Sequence, residues 1–243
     1  MEQNKIIDTL RLSECNGNIR IARYFSRSKL RKLLKSEELW FSNSDKFPDK
    51  KEREIPSGFF KNWNEESIRG FSEITSSKNK IIKAYISCWT KFNAENYAMW
   101  KIYDKYSNGA CLITTAQKLR DAVFKKCPCA ILQEVNYIDL EDKTKRYDLP
   151  WVIFDNNGFP FSQRVTEIYK QKAYHYEEEI RSIIYQTQKQ YGDGFGLKID
   201  LNNLIDEIII SPFSSPETYQ KTKSLLLKKF DEKIIYYSKI DEK

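Results

Sequence analysis

The stretch Tyr174-His175-Tyr176-Glu177-Glu178-Glu179-Ile180-Arg181 puts three carboxylates, an arginine and the chain's only histidine side by side, and the apolar run Ile183-Ile184-Tyr185 follows at once. If that run extends back through the motif as a strand over residues 174–185, residues two apart share a face. Glu177, Glu179 and Arg181 then point one way, and Tyr176, Glu178 and Ile180 the other. Two carboxylates on one face of a half-buried strand repel and raise each other's pKa. A cation, a metal or a substrate would offset that repulsion. The competing reading is a helix end with a solvated acidic face, in which Glu177 pairs with Arg181 at i,i+4.

Working outward, the pattern predicts further strands over residues 21–26, 38–42, 81–89, 109–114, 131–138, 205–210 and 234–238. A helix is expected over 28–36, with Ser28 as its N-cap and Leu30, Leu33 and Leu34 on one face. Residues 56–80 read as irregularly helical, with Phe59, Phe60, Trp63, Ile68 and Phe71 as the apolar stripe. Helices are also expected over 96–106, 115–125, 161–173 and 215–229, the last opened by Ser215-Pro216-Glu217. Residues 43–49 and 139–157 read as loops, and Gly192, Gly194 and Gly196 as a flexible turn. Nothing repeats, and no stretch has linker composition. The expected architecture is therefore a single α+β domain over residues 1–243, a mixed, largely antiparallel sheet with surrounding helices.

Composition sets the outer bounds. The 243 residues are 40% hydrophobic and 14% aromatic, enough for a core and against disorder despite 31% charge. With 8 glycines there is no GxGxxG and no GxxxxGK[ST] phosphate loop. The net charge of +7 comes from lysines spread along the chain, which leaves a nucleic-acid partner open without indicating one. The N-terminal Met1-Glu2-Gln3-Asn4-Lys5 has no apolar leader core and no run approaches membrane-spanning length, so a cytoplasmic protein without a membrane partner is expected. Five cysteines, an odd number, suit reduced thiols. Cys127-Pro128-Cys129 lacks a second Cys or His pair and reads as structural rather than as a zinc site. Cys88 and Cys111 sit in apolar runs and read as small core residues.

Five segments, in order, resemble a bacterial family known as domain of unknown function 2971. They are Arg23-Tyr24-Phe25-Ser26; Leu39-Trp40-Phe41-Ser42 leading to Phe47-Pro48-Asp49; Ile86-Ser87-Cys88-Trp89-Thr90; Met99-Trp100 with Tyr103, then Gly109-Ala110-Cys111-Leu112; and Lys172 followed by Tyr174-x-Tyr176-Glu177-x-Glu179-x-Arg181. The resemblance spans roughly residues 20–230. The chain departs from the family where the loop after Ser42 keeps only Asp45 and Asp49 of its acids, and where Tyr174 replaces a tryptophan. The resemblance implies a bacterial, antiphage-defence setting of the abortive-infection type, with the chain as toxin or effector. The order of elements is also similar to the ADP-ribosyltransferase fold, a fold-level analogy.

That analogy implies NAD as substrate and assigns roles. Glu179 would be the catalytic carboxylate beside the oxocarbenium-like centre that develops as nicotinamide leaves. Glu177, on the same face, would activate the acceptor. Arg23 would hold the pyrophosphate with its forked donors, and Tyr24, Trp89 or Trp100 would stack on the nicotinamide. Ser42, Ser87, Tyr103 and Arg181 complete the implied NAD-binding set. The acceptor of ADP-ribose would be a protein or nucleic acid, with a partner protein from the same defence system. Beside each role stands a plainer one. Arg23 and Arg181 would bridge the glutamates, Ser87 would satisfy a backbone group, Trp89, Trp100 and Tyr103 would be core, and Lys172 would be solvated. His175 makes no triad and no His-rich metal site. Two other functions remain open: a non-catalytic module that senses a nucleotide or a phage protein, and a nuclease holding Mg²⁺ with Asp45, Asp49, Glu177 and Glu179.

Overall fold

Runs rich in isoleucine, tyrosine and phenylalanine favour a pleated, half-buried backbone, and they form most of the strands in the computed structural model. It describes residues 5–10, 15–49, 51–69, 83–147, 149, 151–156, 159–186 and 191–240. These form a mixed α/β structure with several helices and mostly antiparallel pairing. They divide into two compact units. Unit 1 takes the described residues of 1–14, 41–87 and 127–195; unit 2 takes those of 15–40, 88–126 and 196–243.

In unit 2 the strand Arg20–Phe25 runs antiparallel to Ala110–Thr115, in register from Arg20↔Thr115 to Phe25↔Ala110. Ala110–Thr115 also pairs antiparallel with Glu207–Ile210, which takes Ile235–Tyr236 in parallel on its other edge. Gly109 has to be a glycine, because a Cβ there would lie 1.9 Å from the Phe25 carbonyl oxygen. Four helices of this unit follow their local signals. Asn96, Thr115 and Ser215 cap Tyr97–Tyr103, Ala116–Phe124 and Pro216–Leu226 with their side chains, while Ser26, not Ser28, precedes Arg27–Ser36. Ala22, Tyr24, Phe92, Met99, Trp100, Cys111, Ile113 and Ile209 form one buried cluster.

In unit 1 the strand Glu179–Gln186 pairs antiparallel with Ile131–Glu134, from Ile180↔Glu134 to Ile183↔Ile131, and also pairs with the strand Lys83–Lys91. Tyr169–Gln171 and Asn136–Ile138 form a short parallel pair that sets Lys170 opposite Tyr137. Lys5–Leu10, Trp151–Asn156 and Phe159–Arg164 make a three-stranded antiparallel sheet. Phe195 stacks on Phe41 and meets Tyr85 and Tyr191 at ring-centroid distances between 4.6 and 5.6 Å.

Several sequence expectations need correction. Residues 161–173 are not an α-helix: they contribute the strands Phe159–Arg164 and Tyr169–Gln171 and the start of a 3₁₀ segment at Lys172. The apolar spacing of Val165, Ile168 and Tyr169 imitates a helix face. Glu167 and Lys170 are buried as well, so burial is nearly continuous rather than striped. Residues 139–157 hold a strand, Trp151–Asn156, and residues 131–138 split into two at Val135. Within 56–80, Ser57–Phe60 is a 3₁₀ turn and 65–69 are helical, while 70–80, with Phe71, lie outside the described residues. The glycines expected to form a flexible turn lead instead into the strand Gly194–Lys198.

Candidate functional site

The acidic motif is not one continuous strand. Lys172–Glu177 forms a 3₁₀ segment, and the strand begins at Glu179. Between them Glu178 takes a left-handed conformation with φ of 41°, its N–H donating to the His175 carbonyl at 3.2 Å. That conformation costs a non-glycine residue about 1–2 kcal/mol. The kink has a result that a straight strand would give only by alternation: the Glu177 and Glu179 carboxylates converge on one ammonium. Lys170 Nζ donates to Glu177 Oε2 at 2.7 Å and to Glu179 Oε1 at 2.8 Å.

The strand face takes over from there. Residues 179, 181, 183 and 185 alternate onto one side. Arg181, only 1% exposed, donates from Nε to Glu179 Oε2 at 2.6 Å, from Nη1 to the Glu167 carbonyl at 2.8 Å, and from Nη2 to Glu52 Oε1 at 3.0 Å. Glu52 Oε1 also lies 2.9 Å from Lys170 Nζ, while Glu52 Oε2 is buried without a hydrogen-bond partner. Tyr185 Oη donates to Glu167 Oε2 at 2.7 Å. Tyr137, opposite Lys170 in the parallel pair, accepts the Glu179 N–H on its hydroxyl at 2.8 Å. The Tyr174 ring lies 4.6 Å from the Lys170 ammonium. Four buried carboxylates thus meet two buried cations.

Charges so enclosed are tolerable only when paired and hydrogen-bonded, and the surplus of acids implies retained protons. Burial pushes Glu177 up to about 7, and its hydrogen bond with Glu179 adds to the shift while Lys170 opposes it. Burial would raise Glu179 too. The charge of Arg181, the hydrogen bond from Glu177 and the charge of Lys170 outweigh it and hold Glu179 well below the usual carboxylate range. For Lys170 burial disfavours the ammonium, but Glu179, Glu52 and Glu177 prevail and keep it firmly charged. Burial also raises Glu167, moderated by Tyr185. The two shifts run in opposite directions, so below pH 7 the pair favours a single retained proton, on the Glu177 side, with Glu179 ionised.

The other sequence-derived candidates are divided between the two units. Ser42 is half-buried in unit 1, in register with Ile86, and Ser87 is fully buried in the same unit. Arg23, Tyr24, Trp89, Trp100 and Tyr103 belong to unit 2. Arg23 donates to the Trp40 carbonyl at 3.4 Å and lies over the Phe25 ring, and burial lowers its pKa. Tyr24 meets Trp100 edge to face at 4.8 Å, and Trp100 has no exposed surface. Packing inside unit 2 is what these two rings do here. Lys172 is exposed, as expected. Asp45 is engaged by Arg53 and Lys83. Among the described residues, no three His, Cys, Asp or Glu side chains converge as a metal-binding group. The point between Glu52, Glu177 and Glu179 that a cation would take is held by the Lys170 ammonium.

Sequence reasoning missed Lys170, Glu52, Glu167 and Tyr137. Tyr185 lay within reach, since it continues the 179/181/183 alternation. Glu52 lies far from the motif in sequence; Lys170 stands just before it, but in a stretch whose apolar spacing imitates a helix face. A cavity of about 740 Å³, with Lys118, Lys198 and Lys229 in its wall, belongs to unit 2, whereas the acid pair belongs to unit 1. No family model, curated protein or solved structure matches the chain, so the likeness over five segments rests on those residues alone. Among the described residues no helix is long and apolar enough to cross a membrane.

Proposed function

We propose that unit 1 carries an acid–base pair for glycosyl transfer from NAD, as an ADP-ribosyltransferase or NAD glycohydrolase that serves as an abortive-infection effector in antiphage defence. One observation carries the chemistry: two carboxylates share one lysine, and their pKa values are driven apart, Glu177 towards 7 and Glu179 far down. Pairs of acids separated in this way divide the work of bond cleavage. Glu179, ionised, would stabilise the positive charge that develops on the ribose as the bond to nicotinamide breaks and the bonding electrons leave with nicotinamide. Glu177, titrating near neutrality, would take the proton of the acceptor hydroxyl as the new bond to the ribose forms. NAD and the defence role rest on the resemblance of the five segments, not on the geometry.

A second reading has its own observation. Both oxygens of Glu179 are already engaged, by Arg181 and Lys170, and the residue is 6% exposed. A cluster closed on itself in this way suits a non-catalytic module in which the ion network holds a nucleotide-sensing or phage-protein-sensing surface in shape.

Glu179→Gln, assayed for nicotinamide release from NAD and for melting temperature on one preparation, separates the two. The catalytic reading expects turnover per folded molecule to fall by about a hundredfold or more, the scale seen when one electrostatic partner of a transition state is removed, whatever the change in melting temperature. The sensing reading expects a lower melting temperature and no NAD turnover in the wild type. A variant that keeps full specific activity in its folded fraction removes Glu179 from the chemistry.

A further inference from the structure

Cys127-Pro128-Cys129 lies in unit 1, and neither its sulfurs nor its turn is used by the acid pair. The Ala130 N–H donates to the Cys127 carbonyl at 3.0 Å and closes a tight turn with Pro128 at its second position. Proline is favoured there because its ring presets the required φ. The turn folds the first and third residues back towards each other, and the Cys127 and Cys129 sulfurs lie 3.4 Å apart in hydrogen-bond contact. Both residues are partly exposed, whereas Cys15 and Cys111 are buried, and none of the five cysteines is in a disulfide.

We infer that Cys127 and Cys129 form a peroxide-reactive dithiol that closes to an intramolecular disulfide, with hydrogen peroxide or an organic hydroperoxide as the oxidant. The hydrogen bond from Cys127 lowers the Cys129 pKa, against the effect of burial. The same contact, together with burial, raises Cys127. Cys129 is therefore the nucleophile, since the thiolate and not the thiol attacks. Its sulfur attacks one peroxide oxygen and the O–O bond breaks. The departing oxygen leaves with the bonding electrons and is protonated to water or an alcohol, and Cys129 becomes a sulfenic acid. The Cys127 sulfur then attacks the Cys129 sulfur. The S–S bond forms, the S–O bond breaks, and hydroxide leaves as water with the Cys127 proton. Two thiols are oxidised and one hydroperoxide is reduced, with no other reactant.

Tryptic cleavage after Lys126 and Lys143 places both cysteines on one peptide, residues 127–143, with no other cysteine on it. The full chain is treated with stoichiometric hydrogen peroxide, alkylated, digested and weighed. The expected result is a 127–143 peptide lighter by two hydrogens and carrying no alkyl group, formed about tenfold or more faster than alkylation is lost at Cys15, Cys88 or Cys111, following the reactivity difference between an activated and an ordinary thiol. Dimedone trapping assigns the order of attack: Cys127→Ser should accumulate a sulfenic-acid adduct on Cys129, and Cys129→Ser little or none on Cys127. A 127–143 peptide that keeps two alkyl groups while other cysteines oxidise, or disulfides that form only between molecules, overturns the proposal. Equal dimedone labelling in both variants overturns the assignment of Cys129 as nucleophile.

Discussion

Around Trp100 in unit 2, Ala22, Tyr24, Phe92, Met99, Cys111, Ile113 and Ile209 close an apolar cluster. The polar atoms reach its edge, where the Tyr24 hydroxyl accepts the Asn96 N–H at 3.1 Å and Trp100 Nε1 donates to Glu95 at 3.2 Å. Around Arg181 in unit 1, the corresponding volume holds Glu52, Glu167, Lys170, Glu177 and Glu179. Burying apolar surface stabilises without regard to partners, by about 25 cal/mol per Å². A buried ion cluster is often no better than well-packed hydrophobes, yet it becomes costly the moment one member is removed. Unit 2 therefore gains its stability from area, and unit 1 depends on completeness.

The largest expected effect tests that contrast directly. Lys170→Met removes the ammonium that holds Glu52, Glu177 and Glu179 together and should cost about 3–5 kcal/mol, the range for breaking a buried ion cluster by deleting one partner. Trp100→Ala should cost a similar ~3–5 kcal/mol by leaving a cavity. Acidity separates them. At pH 5 the carboxylates exposed to each other by Lys170→Met can take up protons, so part of that loss should be recovered relative to pH 8. The loss from Trp100→Ala should not move. Urea titrations of both variants at the two pH values supply the measurement. A Lys170→Met loss below about 1 kcal/mol would mean that the cluster does not hold unit 1 together, since deleting one partner of a buried ion cluster normally costs several times that.

A smaller effect concerns the shared proton. The folded chain raises Glu177 from an ordinary 4.5 to about 7. Between those values the native state binds more protons than the unfolded chain, so stability from this group is present at pH 5 and is lost as pH rises through 7. Glu179 is displaced the other way. Its contribution is present above the ordinary carboxylate pKa and is lost only as pH falls well below it. Melting temperature should therefore decline from pH 5 to pH 8, and Glu177→Gln, which cannot release a proton, should flatten that part of the profile. Glu167, also raised by burial, contributes the same sign in both proteins, so the difference between the profiles isolates Glu177. Parallel wild-type and Glu177→Gln profiles would mean that the pair holds no shared proton.

The strands built as short apolar runs and the helices that carry their own caps were legible in the sequence: Arg20–Phe25, Ala110–Thr115, Ala116–Phe124 and Pro216–Leu226 lie within a residue or a few of where local pattern puts them. The Glu179–Arg181 pairing was legible for the same reason, period two on a strand. Residues 165–170 were not, because polarity is a proxy for exposure and fails when Glu167 and Lys170 are buried in ion pairs. Nor was the αL conformation of Glu178, which no glycine or asparagine announces. Glu52 was hidden because long-range pairing of charges leaves no periodic trace, and Lys170 because it lies in the stretch whose spacing imitated a helix. What the motif did disclose was a cost, two acids on one face, and the structure shows how it is met.

The finest comparison sets one tyrosine hydroxyl against another. Tyr185 in unit 1 donates to the Glu167 carboxylate, and Tyr24 in unit 2 accepts a backbone N–H. Both rings are buried and phenylalanine preserves their shape, so each substitution deletes a hydroxyl and little packing. Tyr24→Phe should cost about 0.5–1.5 kcal/mol, as for a neutral hydrogen bond, and Tyr185→Phe about 1.5–3 kcal/mol, as for one to a charged group. The Glu167 carboxyl can answer the loss of its donor by holding a proton, which removes the buried charge. The Tyr185→Phe deficit should therefore shrink between pH 8 and pH 5, as burial already favours the protonated form. The Tyr24→Phe deficit should stay constant, since neither hydroxyl nor amide changes charge in that range. Denaturation midpoints of the two variants at three pH values decide the matter. Equal, pH-independent deficits would mean that the interior of unit 1 behaves electrostatically like that of unit 2, and that Glu167 is neutral throughout.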